Sequence, residues 1–93
     1  MDKSIHETIK SRESTHGSWE EGAAIAQQLK RTLYKQADSR PDYINEALDR
    51  ICMKLSRIAI GDPMEADHWH DIAGYATLTE QAINKRPYAN TNI

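Results

Sequence analysis

Between Pro41 and Gly61 the chain places Ile44, Ala47, Leu48, Ile51, Cys52, Leu55, Ile58 and Ala59 at intervals of three and four residues. At roughly 100° per residue these positions fall on one wide apolar face, so the spacing predicts a helix over about 41–60 that forms the centre of the core. Pro41 suits the first turn of that helix and Gly61 its C-terminal cap, and Asp62-Pro63 blocks continuation. A face of this width has to be covered by other packed elements. Alternating strand patterns, internal repeats and low-complexity runs are all missing from the sequence, so the expected fold class is all-α.

Three further helices are read around it. Ile5 and Ile9 stand at i,i+4 in an otherwise polar stretch, which predicts a short helix over about 4–12. Glu13-Ser14-Thr15-His16-Gly17-Ser18 has the composition of a loop, and Ser18 with Glu21 reads as a capping box that starts the next helix at Trp19. On that second helix Trp19, Gly22, Ile25, Ala26, Leu29 and Leu33 share a face, with Gly22 marking a close helix crossing. It ends at the break Ala37-Asp38-Ser39-Arg40-Pro41. The last helix is expected over about 65–85, with Trp69, Ile72, Ala73, Ala76 and Ile83 as its core face. A second stripe on it collects His68, Asp71, Tyr75, Leu78 and Ala82. Two faces to cover on one helix, in so short a chain, point to a bundle completed by oligomerisation; the competing reading has Leu78 and Ala82 meet the N-terminal helix while Tyr75 bridges core and water. The expected organisation is thus one helical domain over 1–93, with a short helix and loop in 1–17 and a flexible tail in 86–93.

The chain has 93 residues and only 39% hydrophobic content, which leaves room for one thin-cored domain and excludes a large multi-domain enzyme. Twelve Lys and Arg against 14 Asp and Glu give a formal charge of −2, so there is no basic surplus for a nucleic-acid backbone and nucleic acid is not an expected partner. The longest apolar run, Ala23-Ala24-Ile25-Ala26, is far below the ~20 residues of a membrane span, and a polar start at Asp2 and Lys3 reads against a signal peptide. The expectation is a cytoplasmic protein without membrane contact. A lone Cys52 offers neither an internal disulfide nor a cysteine zinc site.

Three groups of residues carry chemistry. Arg12 with Ser14 to Ser18 lies just before a helix N-terminus, where free amides, hydroxyls and a fixed guanidinium suit an anion such as phosphate; the plainer reading is a capped surface turn. Glu46, Arg50, Lys54 and Arg57 form a stripe on the back of the third helix, either a solvated face or, through its three crowded cations, a site for an anion or an acidic partner. Lys54 lies near the edge of the apolar face and would otherwise snorkel across it. Asp67-His68-Trp69-His70-Asp71 suggests metal by its spelling. His68 and His70, however, are about 200° apart on a helix and cannot share an ion. His68 with Asp71, or Asp67 with Asp71, is geometrically competent, a third ligand having to come from Glu46 or Asp49 on another helix. Acidic residues in a first helical turn also serve the helix dipole without any metal.

Three ordered motifs then stand out: Arg12-x-x-x-His16-Gly17, Lys54-x-x-Arg57 and Asp71-x-x-Gly74-Tyr75-Ala76. Over about residues 12 to 83 the chain resembles a family of small phage and prophage proteins that carry these elements, which implies a phage or prophage origin and a bacterial host cytoplasm. More distantly it is similar to all-α nucleotide pyrophosphohydrolases of the MazG type. Those hold Mg²⁺ on clustered carboxylates of two helices, where hard oxygens and metal together bridge substrate phosphates. The matching stretches here are Asn45-Glu46-x-x-Asp49 and His68-x-x-Asp71, in which Asn45 and His68 stand where the resemblance implies acids. Glu46, Asp49 and Asp71 remain as the implied metal ligands, and Mg²⁺ as the implied cofactor.

The resulting expectation is a small oligomeric accessory protein that binds a nucleotide or other phosphorylated ligand in a cleft lined by Arg12, His16, Lys54, Arg57, His68, Asp71 and Tyr75. Two alternatives stay beside it. One is a non-enzymatic inhibitor or adaptor that engages a host protein through an exposed helix face. The other is a divergent Mg²⁺-dependent nucleotide pyrophosphohydrolase.

Overall fold

The computed structural model describes residues 4–85, and every regular element among them is helical: α1 (Ile5–His16), α2 (Trp19–Tyr34), a single 3-10 turn (Ala37–Ser39), α3 (Asp42–Ile60) and α4 (Ala66–Asn84). The all-α class read from the sequence is the fold of the protein. No helix among the described residues is long and apolar enough to cross a membrane. The tail expected over 86–93 lies outside the described residues.

α1 runs a full turn past the end expected at Arg12. The hydroxyls of Ser14 and Thr15 donate back to the carbonyls of Ser11 and Arg12, at 2.7 and 3.2 Å. Residues whose composition reads as a loop are thereby absorbed into the helix. Gly17 stops it, with φ 79° and its N–H on the Glu13 carbonyl. Ser18 then caps α2 by accepting from the Glu21 N–H. The turn between α2 and α3 is held by Arg40, which donates to the Leu33 carbonyl and to Asn45 Oδ1, while Asn45 Nδ2 donates to the Ala37 carbonyl. Asn45 therefore serves the C-terminal end of α2, where carbonyls lack helical partners.

α3 is the middle helix of a layer. α2 runs antiparallel along one side of it: Gly22 lies against Ser56 and Ile60, and the Tyr34 hydroxyl donates to Asp49 at 2.8 Å. Cys52 and Ala26 are buried on this side. α4 lies on the other side, where Lys54 meets Asp71 and the Arg50 guanidinium stands over the Tyr75 ring at 5.7 Å. Cys52 and Lys54 are two residues apart, about 200° on the helix, so the two neighbours flank α3 from opposite directions.

Four expectations are corrected by this arrangement. Lys54 does not belong to an outward charged stripe; it is buried against α4, since the stripe's edge is where that helix docks. The faces of α4 exchange roles. His68, Asp71 and Tyr75 turn toward α3, whereas the apolar stripe expected to form the core stays partly open, with Trp69 52% exposed and Ala73 and Ala76 exposed. Trp19, likewise expected inside, is 83% exposed. The wide apolar face of α3 is only half covered for the same geometric reason. Ile44, Leu48, Ile51 and Ile58 are half-buried and Leu55 is exposed, because that face points between the two flanking helices instead of at either one.

Candidate functional site

Two of the three buried polar residues among the described residues, Lys54 and His68, lie where the C-terminal end of α1 meets α3 and α4. The approach is set by two glycines. A Cβ on Gly17 would lie 2.6 Å from the Ile60 carbonyl oxygen, and one on Gly61 would meet the Thr15 carbonyl, so the two helix ends touch backbone to backbone. That contact delivers the Thr15 carbonyl, a free group at the end of α1, to two donors. The Asp62 N–H reaches it at 3.0 Å and His68 Nε2 at 3.1 Å.

His68 is the most enclosed large side chain, 1% exposed. A carbonyl only accepts, so Nε2 carries a proton in this contact, which leaves Nδ1 as the ring's second polar atom. Among the described residues Nδ1 has no hydrogen-bond partner although it is buried. A buried polar atom without a partner is costly and marks a position where a hydrogen-bonding group is wanted. Beside it lies the His16 ring, with centroids 4.9 Å apart and planes tilted by 54°. His16 Nδ1 is 2.9 Å from the Thr15 hydroxyl.

Around the two imidazoles stand Lys54, Arg57 and Asp71. Lys54 Nζ is 2.6 Å from Asp71 Oδ2, with the lysine side chain 10% exposed and the carboxylate 41% exposed. The ammonium hydrogen bond holds the Asp71 carboxyl below the usual range, and the neighbouring charges of His70 and His68 act in the same direction. Burial pushes the His16 imidazole down, and the charges of Arg57, His68 and Lys54 push it further. Arg57 is half-buried, and no carboxylate among the described residues pairs with it. Among the described residues, two permanent cations and two imidazoles thus share a single carboxylate.

Of the seven ligand-binding candidates, His16, Lys54, Arg57, His68 and Asp71 converge here. Arg12 lies one turn earlier on α1 and is exposed, and Tyr75 lies one turn beyond Asp71 against Arg50, lining a separate shallow groove with Tyr43 and Leu78. The implied metal ligands stay apart. Glu46 is bound to Arg50 at 2.8 Å, Asp49 accepts from Tyr34, and Asp71 is held by Lys54. Among the described residues no three His, Cys, Asp or Glu side chains stand close enough to hold a metal ion. Each of the three carboxylates already has a donor, so the set does not fit Mg²⁺, which demands several free oxygens in near-octahedral array. The contributions of the Thr15 carbonyl and of Gly61 escape a sequence reading. The Gly17 and Gly61 pair flanking two helix ends is the signal that would have found them.

A family model described as Domain of unknown function (DUF6378) matches residues 2–83. No curated protein and no solved structure matches the chain.

Proposed function

The chain belongs to the family described as Domain of unknown function (DUF6378), and we propose from its geometry that it is a binding protein for a nucleotide or other phosphorylated ligand. The cluster at the α1–α3–α4 junction is its site. The observation that carries this is the charge imbalance there: the two cations Lys54 and Arg57, with the His16 and His68 imidazoles beside them, around Asp71 as their one carboxylate among the described residues. A partly enclosed positive field of this kind is relieved by an anion, and a guanidinium presents a fork that matches two phosphate oxygens.

In this reading Arg57, which pairs with no carboxylate among the described residues, takes the phosphate. Lys54 supplies a second positive charge, fixed by Asp71. His16 stands at the edge of the cluster and gains a proton when an anion arrives, because the incoming charge offsets the repulsion from Arg57 and Lys54. His68 ties the site to the end of α1 through Thr15, and its free Nδ1 accepts from a ligand hydroxyl or takes up a proton and donates to a phosphate oxygen. The three ordered motifs supply Arg12 and His16, Lys54 and Arg57, and Asp71 and Tyr75 respectively; they support a phage or prophage accessory protein as the setting. The carboxylate positions support binding without hydrolysis, since the oxygens a catalytic Mg²⁺ would need are engaged elsewhere.

The test is thermal unfolding with inorganic phosphate and a panel of nucleoside mono-, di- and triphosphates. A ligand at about 100 times its Kd adds about 2.7 kcal/mol to the folded state and raises Tm. Arg57→Ala should abolish the shift, while Arg12→Ala, outside the cluster, should keep it. A wild-type protein that is not shifted by any phosphate-bearing compound refutes the function.

A further inference from the structure

The layer formed by α2, α3 and α4 has one apolar side that nothing among the described residues covers. Helical-wheel positions place Ile25 and Leu29 of α2, Ile51 and Leu55 of α3, and Ile72 and Ala76 of α4 on that same side. None of the six is buried. A shallow groove runs along it between α3 and α4, with Leu48 and Ile83 in its walls and Glu80 as the one charged group lining it. α1 does not close it. No residue of α1 is buried, and its own isoleucines, Ile5 and Ile9, are 67% and 51% exposed. Domains are built from at least two packed layers, and a single layer of amphipathic helices leaves half of its apolar surface in water.

We propose that a second copy of this chain covers the face, giving a two-layer, six-helix dimer core with α3 of each copy at its centre. Size and chemistry select that occupant. Nineteen residues of α3 at about 1.5 Å each give a length of about 28 Å, and three helices at about 9 Å spacing give a width of about 25 Å. The face is therefore about 700 Å², close to the roughly 800 Å² that each partner contributes to a stable protein interface. Its centre is aliphatic and uncharged, so it is complementary to another surface of its own kind, and a two-fold axis lets the same patch serve both copies. The Leu48, Ile51 and Leu55 ridge of one copy would enter the α3–α4 groove of the other. The Lys54–Asp71 cluster is not on this face, so assembly and ligand binding fail or succeed separately.

Sedimentation equilibrium of the full chain over a wide concentration range tests this. The expected mass is twice the 10.6 kDa chain mass, with dissociation on dilution. Leu55→Glu, at an exposed position of the face, should give a monomer that retains its helical circular dichroism. Ala76→Glu, exposed and with little to unpack within one copy, should do the same if Leu55→Glu fails to fold. Leu78→Glu, at a 64% exposed leucine on a different side of α4, should leave the dimer intact. A wild-type monomer at every concentration overturns the proposal. So does a dimer that survives both Leu55→Glu and Ala76→Glu.

Discussion

Replacing Gly17 with alanine strikes the contact on which the polar cluster depends. Gly17 has φ 79° and ψ −170°, a region open essentially to glycine alone, and forcing a side chain into it costs of the order of 1–3 kcal/mol. The added Cβ would also lie 2.6 Å from the Ile60 oxygen and 2.8 Å from its carbonyl carbon, both backbone atoms that cannot rotate away. α1 has to lift from α3, and the two hydrogen bonds on the Thr15 carbonyl stretch with it. Each is worth about 0.5–1.5 kcal/mol net, and the total is roughly 3–5 kcal/mol. In a domain of this length that lowers Tm by about 12 °C or more. Thermal and urea unfolding followed by far-ultraviolet circular dichroism measures it, and amide exchange at Asp62 reports whether the junction itself has opened. Gly22→Ala is the control of opposite sign. Its Cβ would meet the Ile60 Cδ1 atom at 3.4 Å and Ser56 Oγ at 3.9 Å, ordinary contact distances, so relief of the glycine helix penalty makes it neutral or stabilising by up to about 1 kcal/mol. A Gly17→Ala protein within about 0.5 kcal/mol of wild type, with Asp62 still protected, would refute the junction as drawn.

Stability should depend on pH in two separate windows. His16 is held below its ordinary 6.5 in the folded protein, so the unfolded chain binds the proton first, and stability present above about pH 6.5 is lost as pH falls through that value; His16→Gln should flatten this part of the profile. Asp71 is held below 3.8, so its contribution is present above that value and is lost as pH falls below it. Gly74→Ala should stabilise α4 by about 0.5–1 kcal/mol in urea melts, since a Cβ there meets nothing within 4 Å.

The helices are legible in the sequence because periodicity and caps are local. Pro41 and Gly61 bracket α3, and Ser18 starts α2, where the spacing places them. The end of α1 is not, because serine and threonine hydroxyls that satisfy their own helix look the same in sequence as those of a loop. Which stripe of α4 faces inward is likewise hidden. Apolar content favours Trp69 and Ala76, but the Lys54–Asp71 pair and the His68–Thr15 bond place the polar stripe inside, and such pairings couple residues far apart in the chain. The convergence of His16, Lys54, Arg57, His68 and Asp71 is carried by motifs on three different helices. What joins them is a close approach at Gly17 and Gly61 and one backbone carbonyl, whose trace in the sequence is the glycine pair alone. Asn45 shows the converse, a residue at a position where the sequence resemblance implies an acid, which holds a turn through Arg40 and Ala37.

The most direct measurement on the proposed site is the long-range ¹H–¹⁵N spectrum of the His68 imidazole during a phosphate titration. The free protein should show the ring protonated at Nε2, the nitrogen that faces the Thr15 carbonyl. Added phosphate should move the Nδ1 resonance toward its protonated or hydrogen-bonded position, with saturation lost in Arg57→Ala. A ring protonated at Nδ1 in the free protein, or resonances that ignore phosphate at every concentration, would contradict the assignment of this cluster as an anion site.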